Sequence, residues 1–285
     1  MQRRAGPILG LLFFILIAGA VGIVIFTVPG GFSSLFGSIG LQKHIPFSIA
    51  VVPMQPGRTV ILEAGAGNVT LRSDSARTSL AVSGTKVVQD DEDFNKISLQ
   101  PKNEADGSLT LQVVKSCQNC YMDIDLIAPP NTLAILHSGS GDIRADGLSS
   151  QRGLNSFSTG SGNIKLSNYT AGSLNVQTGS GDITLDTVTI NGVIMAQAGS
   201  GNINFNGTMV LTDPSSLFET GSGDLFLKLN ASDYSKISLE AMTKSGDIRN
   251  RANLPNVDSS KHALVVVNGP NILVLHTGSG NITLE

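Results

Sequence analysis

Eight stretches of this chain alternate apolar and polar residues on both sides of a short glycine-rich break. Three positions before the first residue of each break stand Leu62, Leu136, Phe157, Val176, Ala196, Phe218, Ala241 and Leu275. Four positions after it stand Val69, Ile143, Ile164, Ile183, Ile203, Leu225, Ile248 and Ile282, and six after it the run is apolar again except at Asn250. A spacing of two on each side is the period of a strand. Each unit therefore predicts strand, tight turn, strand and a looser return. The step between successive breaks, from Gly139 to Lys244, is 21, 19, 20, 22 and 23 residues. A period near that length marks a solenoid, in which no coil can bury its apolar face without neighbours.

The break itself is a phrase. Gly-Ser-Gly-Asp/Asn-Ile begins at Gly139, Gly160, Gly179, Gly199, Gly221 (with Leu225 in the last place) and Gly278; weaker copies begin at Gly65 and Lys244. The glycines are expected to supply backbone angles that a Cβ would forbid, and the Asp or Asn to close an Asx-turn. Some calcium-binding β-rolls also use Gly-rich repeats with Asp, but one acidic or amide residue per phrase favours a plain turn. Along the chain the fourth residue runs Asp142, Asn163, Asp182, Asn202, Asp224, Asp247, Asn281. Coils stack about 4.8 Å apart. At that spacing an Asn amide can donate to the carboxylate beside it, whereas stacked carboxylates repel. In chain order the alternation breaks only at Asp224–Asp247. The last phrase follows 34 residues after Lys244, so stacking of Asn281 on Asp247 is not assured by the spacing.

Between Leu71 and Leu133 the phrase is missing, yet Ser79–Val82, Lys96–Leu99, Ser108–Val114 and Tyr121–Ile127 read as strands. They are expected to be antiparallel strands flanking the first coil, with a solvated loop at Asp90–Asp93 and a hairpin turn at Asp106-Gly107. This β-rich lead-in, the strand ending at Pro129-Pro130, then Leu133–Leu136 and serial Ser-Gly-Asp-Ile phrases resemble the putative adhesin family of bacterial domains of unknown function, over about residues 50–285. The resemblance implies a β-solenoid outside the cytoplasmic membrane, often behind one membrane helix. It brings no catalytic residues.

Residues 7–29 carry the apolar run for such a helix; the 22 residues Pro7–Val28 would span roughly 33 Å. Arg3 and Arg4 precede it and no Lys or Arg follows until Lys43, so the positive-inside rule predicts a cytoplasmic end at residues 1–6. Residues 30–48 read as a linker and 49–285 as the extracytoplasmic repeat domain. A cleaved signal peptide ending near Ala20 is the rival reading, although the apolar run continues past it. The expected location is thus the cytoplasmic membrane, single-pass, with the C-terminal domain outside.

Composition narrows the function. With 19 basic and 22 acidic residues the net charge is -3, which lacks the basic face nucleic acid requires. Trp is absent and aromatics are 5%, too few for a stacked-ring carbohydrate platform. Cys117 and Cys120 have no second Cys or His pair for a zinc site, and no helix start to activate a redox thiol. A structural disulfide is the expected outcome outside the membrane; free thiols and a redox or metal role remain alternatives. Asn68, Asn168, Asn206, Asn230 and Asn281 head glycosylation sequons. Arg144, Lys165 and Arg249 share one outward row. No catalytic, cofactor-binding or metal-ligating set is expected, and no cofactor.

These features predict an all-β, membrane-anchored solenoid that works as a non-catalytic adhesin-like or cell-envelope interaction module with a protein or cell-surface partner. A sensory or regulatory ectodomain working with a membrane partner is the alternative, and a glycan-active β-helix enzyme a third reading. The final repeat, ending Asn281-Ile282-Thr283-Leu284, carries no polar cap. That predicts coverage by a partner or end-to-end self-association.

Overall fold

The computed structural model describes residues 42–212, 216–255 and 258–285. The expected cytoplasmic end, membrane span and the linker as far as residue 41 lie outside the described residues. Among the described residues no helix is long and apolar enough to cross a membrane. The strand Lys43–Val52 pairs antiparallel with Leu80–Val88, so the folded domain begins ahead of the boundary expected at residue 49.

The repeats build two parallel sheets whose inward residues meet in one core. One sheet holds the strands before each turn, the other the strands after it. The alternation explains why: along Leu225–Leu229, for example, every second side chain is buried. Among the described residues nine levels stack in register. The first is formed by Leu109–Lys115 and Tyr121–Ala128, the second by Thr59–Glu63 and Val69–Ser73, the third by Leu133–Ser138 and Ile143–Asp146. Ser149–Thr159 and the start of Ile164–Thr178 make the fourth. The end of Ile164–Thr178 and Ile183–Ile190 make the fifth, and Ile194–Ala198 with Ile203–Met209 the sixth. Ser216–Thr220 and Leu225–Leu229 form the seventh. Asn271–Thr277 and Ile282–Leu284 form the eighth, and Ile237–Thr243 with Ile248–Asn250 the ninth.

Stack order and chain order therefore part at both ends. The second level precedes the first in sequence, and the eighth follows the ninth. The missing phrase between Leu71 and Leu133 hides a true coil: Leu109–Lys115 and Tyr121–Ala128 run parallel to their second-level neighbours. Only Lys43–Val52, Leu80–Val88 and Ile97–Asn103 are the antiparallel flank that the sequence predicts for the whole stretch. The acidic loop expected at Asp90–Asp93 opens a 3₁₀ turn, Asp91–Lys96.

The bare C-terminal coil expected from the sequence is not at an end. It lies between the seventh and ninth levels, paired on both sides. The ninth level is covered by the chain itself. Ala263–Val266 pairs antiparallel with Ile237–Thr243. The carbonyls of Lys261 and His262 accept from the Ile248 and Thr243 amides at 3.1 and 3.0 Å.

The core follows the repeat register. Ile143, Ile164, Ile183, Ile203, Leu225 and Ile282 form a buried row, and Phe157, Val176, Ala196 and Phe218 face it, all at most 2% exposed. Ile248 is half-buried at the ninth level. Within it the Phe205 ring meets Phe218 edge-on at 5.6 Å.

Candidate functional site

Two surfaces are repeated often enough to act as sites, and both originate in the turn. The phrase glycines are required there for a reason other than the expected one. Among them only Gly65 and Gly67 have positive φ, 70° and 114°. At Gly141, Gly162, Gly181, Gly201 and Gly223 the constraint is distance. A Cβ would overlap the carbonyl oxygen of the phrase glycine one level below. The residue before the phrase fixes the same contact. Thr178 Oγ1 donates to the Gly162 carbonyl at 2.8 Å and accepts from the Gly181 amide at 3.1 Å; Thr159, Thr220, Thr277 and Thr243 repeat the pair of bonds.

The Asx position forms a continuous ladder. The side-chain oxygen of each level accepts from the backbone amide of the next: Asn163 N to Asp142 Oδ1 at 2.9 Å, Asp182 N to Asn163 Oδ1 at 2.9 Å, Asn202 N to Asp182 Oδ1 at 2.7 Å. The expected clash of Asp224 with Asp247 does not occur, because Asn281 stands between them. Its amide nitrogens reach Asp224 Oδ1 at 2.7 and 3.3 Å, and its own Oδ1 receives the Asp247 amide at 3.1 Å. At the other end Asp123 Oδ1 accepts from the Asn68 amide at 2.7 Å, and Asn68 Oδ1 from the Asp142 amide at 3.0 Å. Nine levels thus alternate without a break: Asp123, Asn68, Asp142, Asn163, Asp182, Asn202, Asp224, Asn281, Asp247. Two of the sequon residues, Asn68 and Asn281, are rungs of this ladder; Asn168 and Asn206 donate to Asp146 and Asp186 at 3.0 and 2.9 Å.

Cys117 and Cys120 are joined in a disulfide, with Cα atoms 5.9 Å apart, in the turn of the first level. The bridge closes the longer connection that replaces a glycine phrase there. Among the described residues no group of three or more His, Cys, Asp or Glu is placed to hold a metal ion.

Beside the glycines runs a groove of about 440 Å³. Its floor is Gly179, Gly199, Gly221 and Gly278, which carry no side chain, and its wall is the outward row Gln177, Gln197, Glu219 and His276. Strand register brings these four together from the fifth to the eighth level. Gln197 Nε2 donates to Glu219 Oε2 at 2.9 Å and His276 Nδ1 lies 3.3 Å from Glu219 Oε1. The Gln197 amide, then His276, holds the Glu219 carboxyl below the usual carboxylate range. One row further out, Met195, Leu217 and Val274 form an apolar strip. The sequence did not single out this row. Its members follow from the repeat alignment one residue before Thr178, Ala198, Thr220 and Thr277, but His276 joins only once the last coil is placed beside Glu219. Arg144 and Lys165 are neighbours as expected. Thr184, Asn204 and Phe226, and now Thr283, separate them from Arg249.

No curated protein matches this chain in sequence. Among solved structures, a putative cell adhesion protein from Clostridium sporogenes is 16% identical with a TM-score of 0.38, over 86% of this chain and 99% of that one. A putative adhesin from Bacteroides fragilis is 16% identical with a TM-score of 0.48, over 85% and 97%. A putative lipid binding protein from Parabacteroides distasonis is 12% identical with a TM-score of 0.38, over 87% and 98%. The Toastrack DUF4097 family model matches residues 49–285, and the chain belongs to that family.

Proposed function

We propose that this chain is a non-catalytic, adhesin-like cell-envelope interaction module. It is held at the outer face of the cytoplasmic membrane by residues 7–29 and binds through the outward face of its stack. The observation that supports this reading is the groove of Gln177, Gln197, Glu219 and His276 along a glycine floor. Four polar side chains are held in register across four levels, beside an apolar strip. Such a surface offers hydrogen bonds at a fixed repeat to an extended partner, and its position is set by rigid sheet rather than by loops.

The test is co-sedimentation of the full chain with isolated cell envelopes. Gln197→Lys with Glu219→Lys reverses the groove's polarity on half-buried, outward-facing side chains and leaves the core intact. Retention is expected to fall by about tenfold, equivalent to about 1.4 kcal/mol. Unchanged retention by a variant with the native melting temperature rejects the groove as the binding surface. For the anchor, a cysteine label placed beside Arg3 is expected to be protected in intact cells and one at Glu285 to be reactive; the opposite pattern rejects the topology.

A further inference from the structure

A second site lies near the other end of the stack, at the start of a short third row of parallel pairing in which Tyr169–Ala171, Val188–Ile190 and Gly207–Met209 follow one another. Ser149 and Ser150 pair with Thr170 and Ala171 on one side. On the other, the third-level strand Leu133–Ser138 pairs with Ser156–Thr159 of this strand and leaves Ser149 and Ser150 without a ladder partner on that side. The edge left there borders a cavity of about 590 Å³, lined among others by Thr59, Asn131, Ser149, Gln151, Arg152 and Gly153. A ligand cavity of this size accommodates a sugar unit and exceeds what a bare anion needs.

The backbone around it is held in uncommon conformations. Gly57, Asn131 and Gly153 have φ of 79°, 60° and 72°, and the strand carries a bulge between Ser150 and Leu154. Bulges re-aim side chains and recur beside binding sites. This one is clamped from beneath. Asn155, fully buried, donates through Nδ2 to the Ser150 carbonyl at 3.5 Å, while its Oδ1 accepts from the Ala134 amide at 3.1 Å and the Tyr169 hydroxyl at 2.9 Å. Ser150 Oγ in turn donates to the Arg152 carbonyl at 3.3 Å. The cavity wall is therefore preorganised.

Its charge is single. Arg152 is the one charged residue in the lining, and it joins none of the ion pairs among the described residues. A guanidinium fork matches a carboxylate or a phosphate ester. The neighbouring hydroxyls and amides of Thr59, Asn131, Ser149 and Gln151 match the hydroxyls of a sugar ring. We propose that this cavity binds one acidic sugar residue of an envelope glycan, its anionic group on Arg152 and its hydroxyls on the neutral side chains. Only the choice of an envelope glycan rests on the function proposed above; the cavity is separate from the groove.

The test is amide chemical-shift titration of the isotope-labelled full chain with galacturonate, glucose 6-phosphate and glucose. Galacturonate or glucose 6-phosphate is expected to shift the signals of Asn131, Gln151 and Gly153, and whichever does so identifies the anionic group. Arg152→Ala should weaken that binding by about tenfold or more, Arg152→Lys by less, and Arg144→Ala, on another face, not at all. Equal shifts from neutral glucose, shifts confined to other residues, or an affinity unmoved by Arg152→Ala in a variant of native melting temperature overturns the proposal. Loss of envelope retention with the groove variant but not with Arg152→Ala would reject this cavity as the envelope site and leave the groove reading standing.

Discussion

Thr187 has φ of 57°, a left-handed conformation that crowds a β-branched side chain. It turns a corner within the fifth-level strand Ile183–Ile190. The same corner one level below is occupied by Asn168, also left-handed at 50°, and Asn tolerates that conformation. Thr187→Asn should therefore stabilise the fold by about 1 kcal/mol, read as a rise in melting temperature; a fall would mean that the threonine makes a compensating contact. In the core, Ile183 is fully buried at mid-stack, and Ile183→Ala should cost about 2–5 kcal/mol in chemical denaturation. The two substitutions differ in how visible they are in the sequence. The isoleucine row was legible because strand alternation repeats it in every coil. Thr187 was not, since nothing in its residue type announces a corner. Asn155 was likewise hidden, a polar residue at an inward position that only its three partners explain.

At the scale of the turn, the ladder does more than satisfy amides. Stacked in chain order, the coils would set Asp123 against Asp142 and Asp224 against Asp247. The observed order places Asn68 and Asn281 between those pairs, so carboxylate repulsion disfavours the sequential arrangement at both ends. Asn281→Asp should destabilise by up to about 1 kcal/mol, and Asn163→Asp should do the same between Asp142 and Asp182. Both losses should shrink in high salt, which screens exposed charges. Melting temperatures that are unchanged at low salt would reject the repulsion. The alternation itself was legible in the sequence; its continuity was not, because the order of the final two coils depends on contacts far apart in the chain. Glu219 gives a pH dependence of known sign. Its carboxyl titrates below the ordinary value of 4.5 in the folded chain, so its contribution is complete above that value and is lost as pH falls through the folded pKa. Glu219→Gln should thus narrow the stability difference between pH 7 and pH 3; an undiminished difference would mean that the Gln197 and His276 bonds carry no linkage.

Across the whole molecule, an ordinary solenoid tolerates removal of a terminal coil, since each coil contacts only its neighbours. Here residues 267–285 supply the eighth level of nine. Their removal should separate the ninth level from the seventh and expose both apolar faces. Hydrogen exchange is expected to show lost protection in Ile237–Thr243 and Leu225–Leu229 together. Retained protection in Ile237–Thr243 would show that the ninth level stands without its neighbour. The strand character of this architecture and eight of its nine coils were legible from periodicity, whereas the coil of Leu109–Lys115 and Tyr121–Ala128, which lacks the phrase, and the tucked order at the two ends were not, because a period gives spacing and carries no order. That order has a consequence in time. Ribosomes deliver the ninth level before the eighth, so a nascent chain must hold open a gap one strand wide, rimmed by unpaired amides and carbonyls, until residues 271–284 arrive to fill it. Such a gap is a receptor for any chain bearing the right phrase. A synthetic peptide of residues 267–285 should therefore rescue the truncated protein in trans, raising its melting temperature in a dose-dependent way, while a peptide carrying Asn281→Asp should rescue it less.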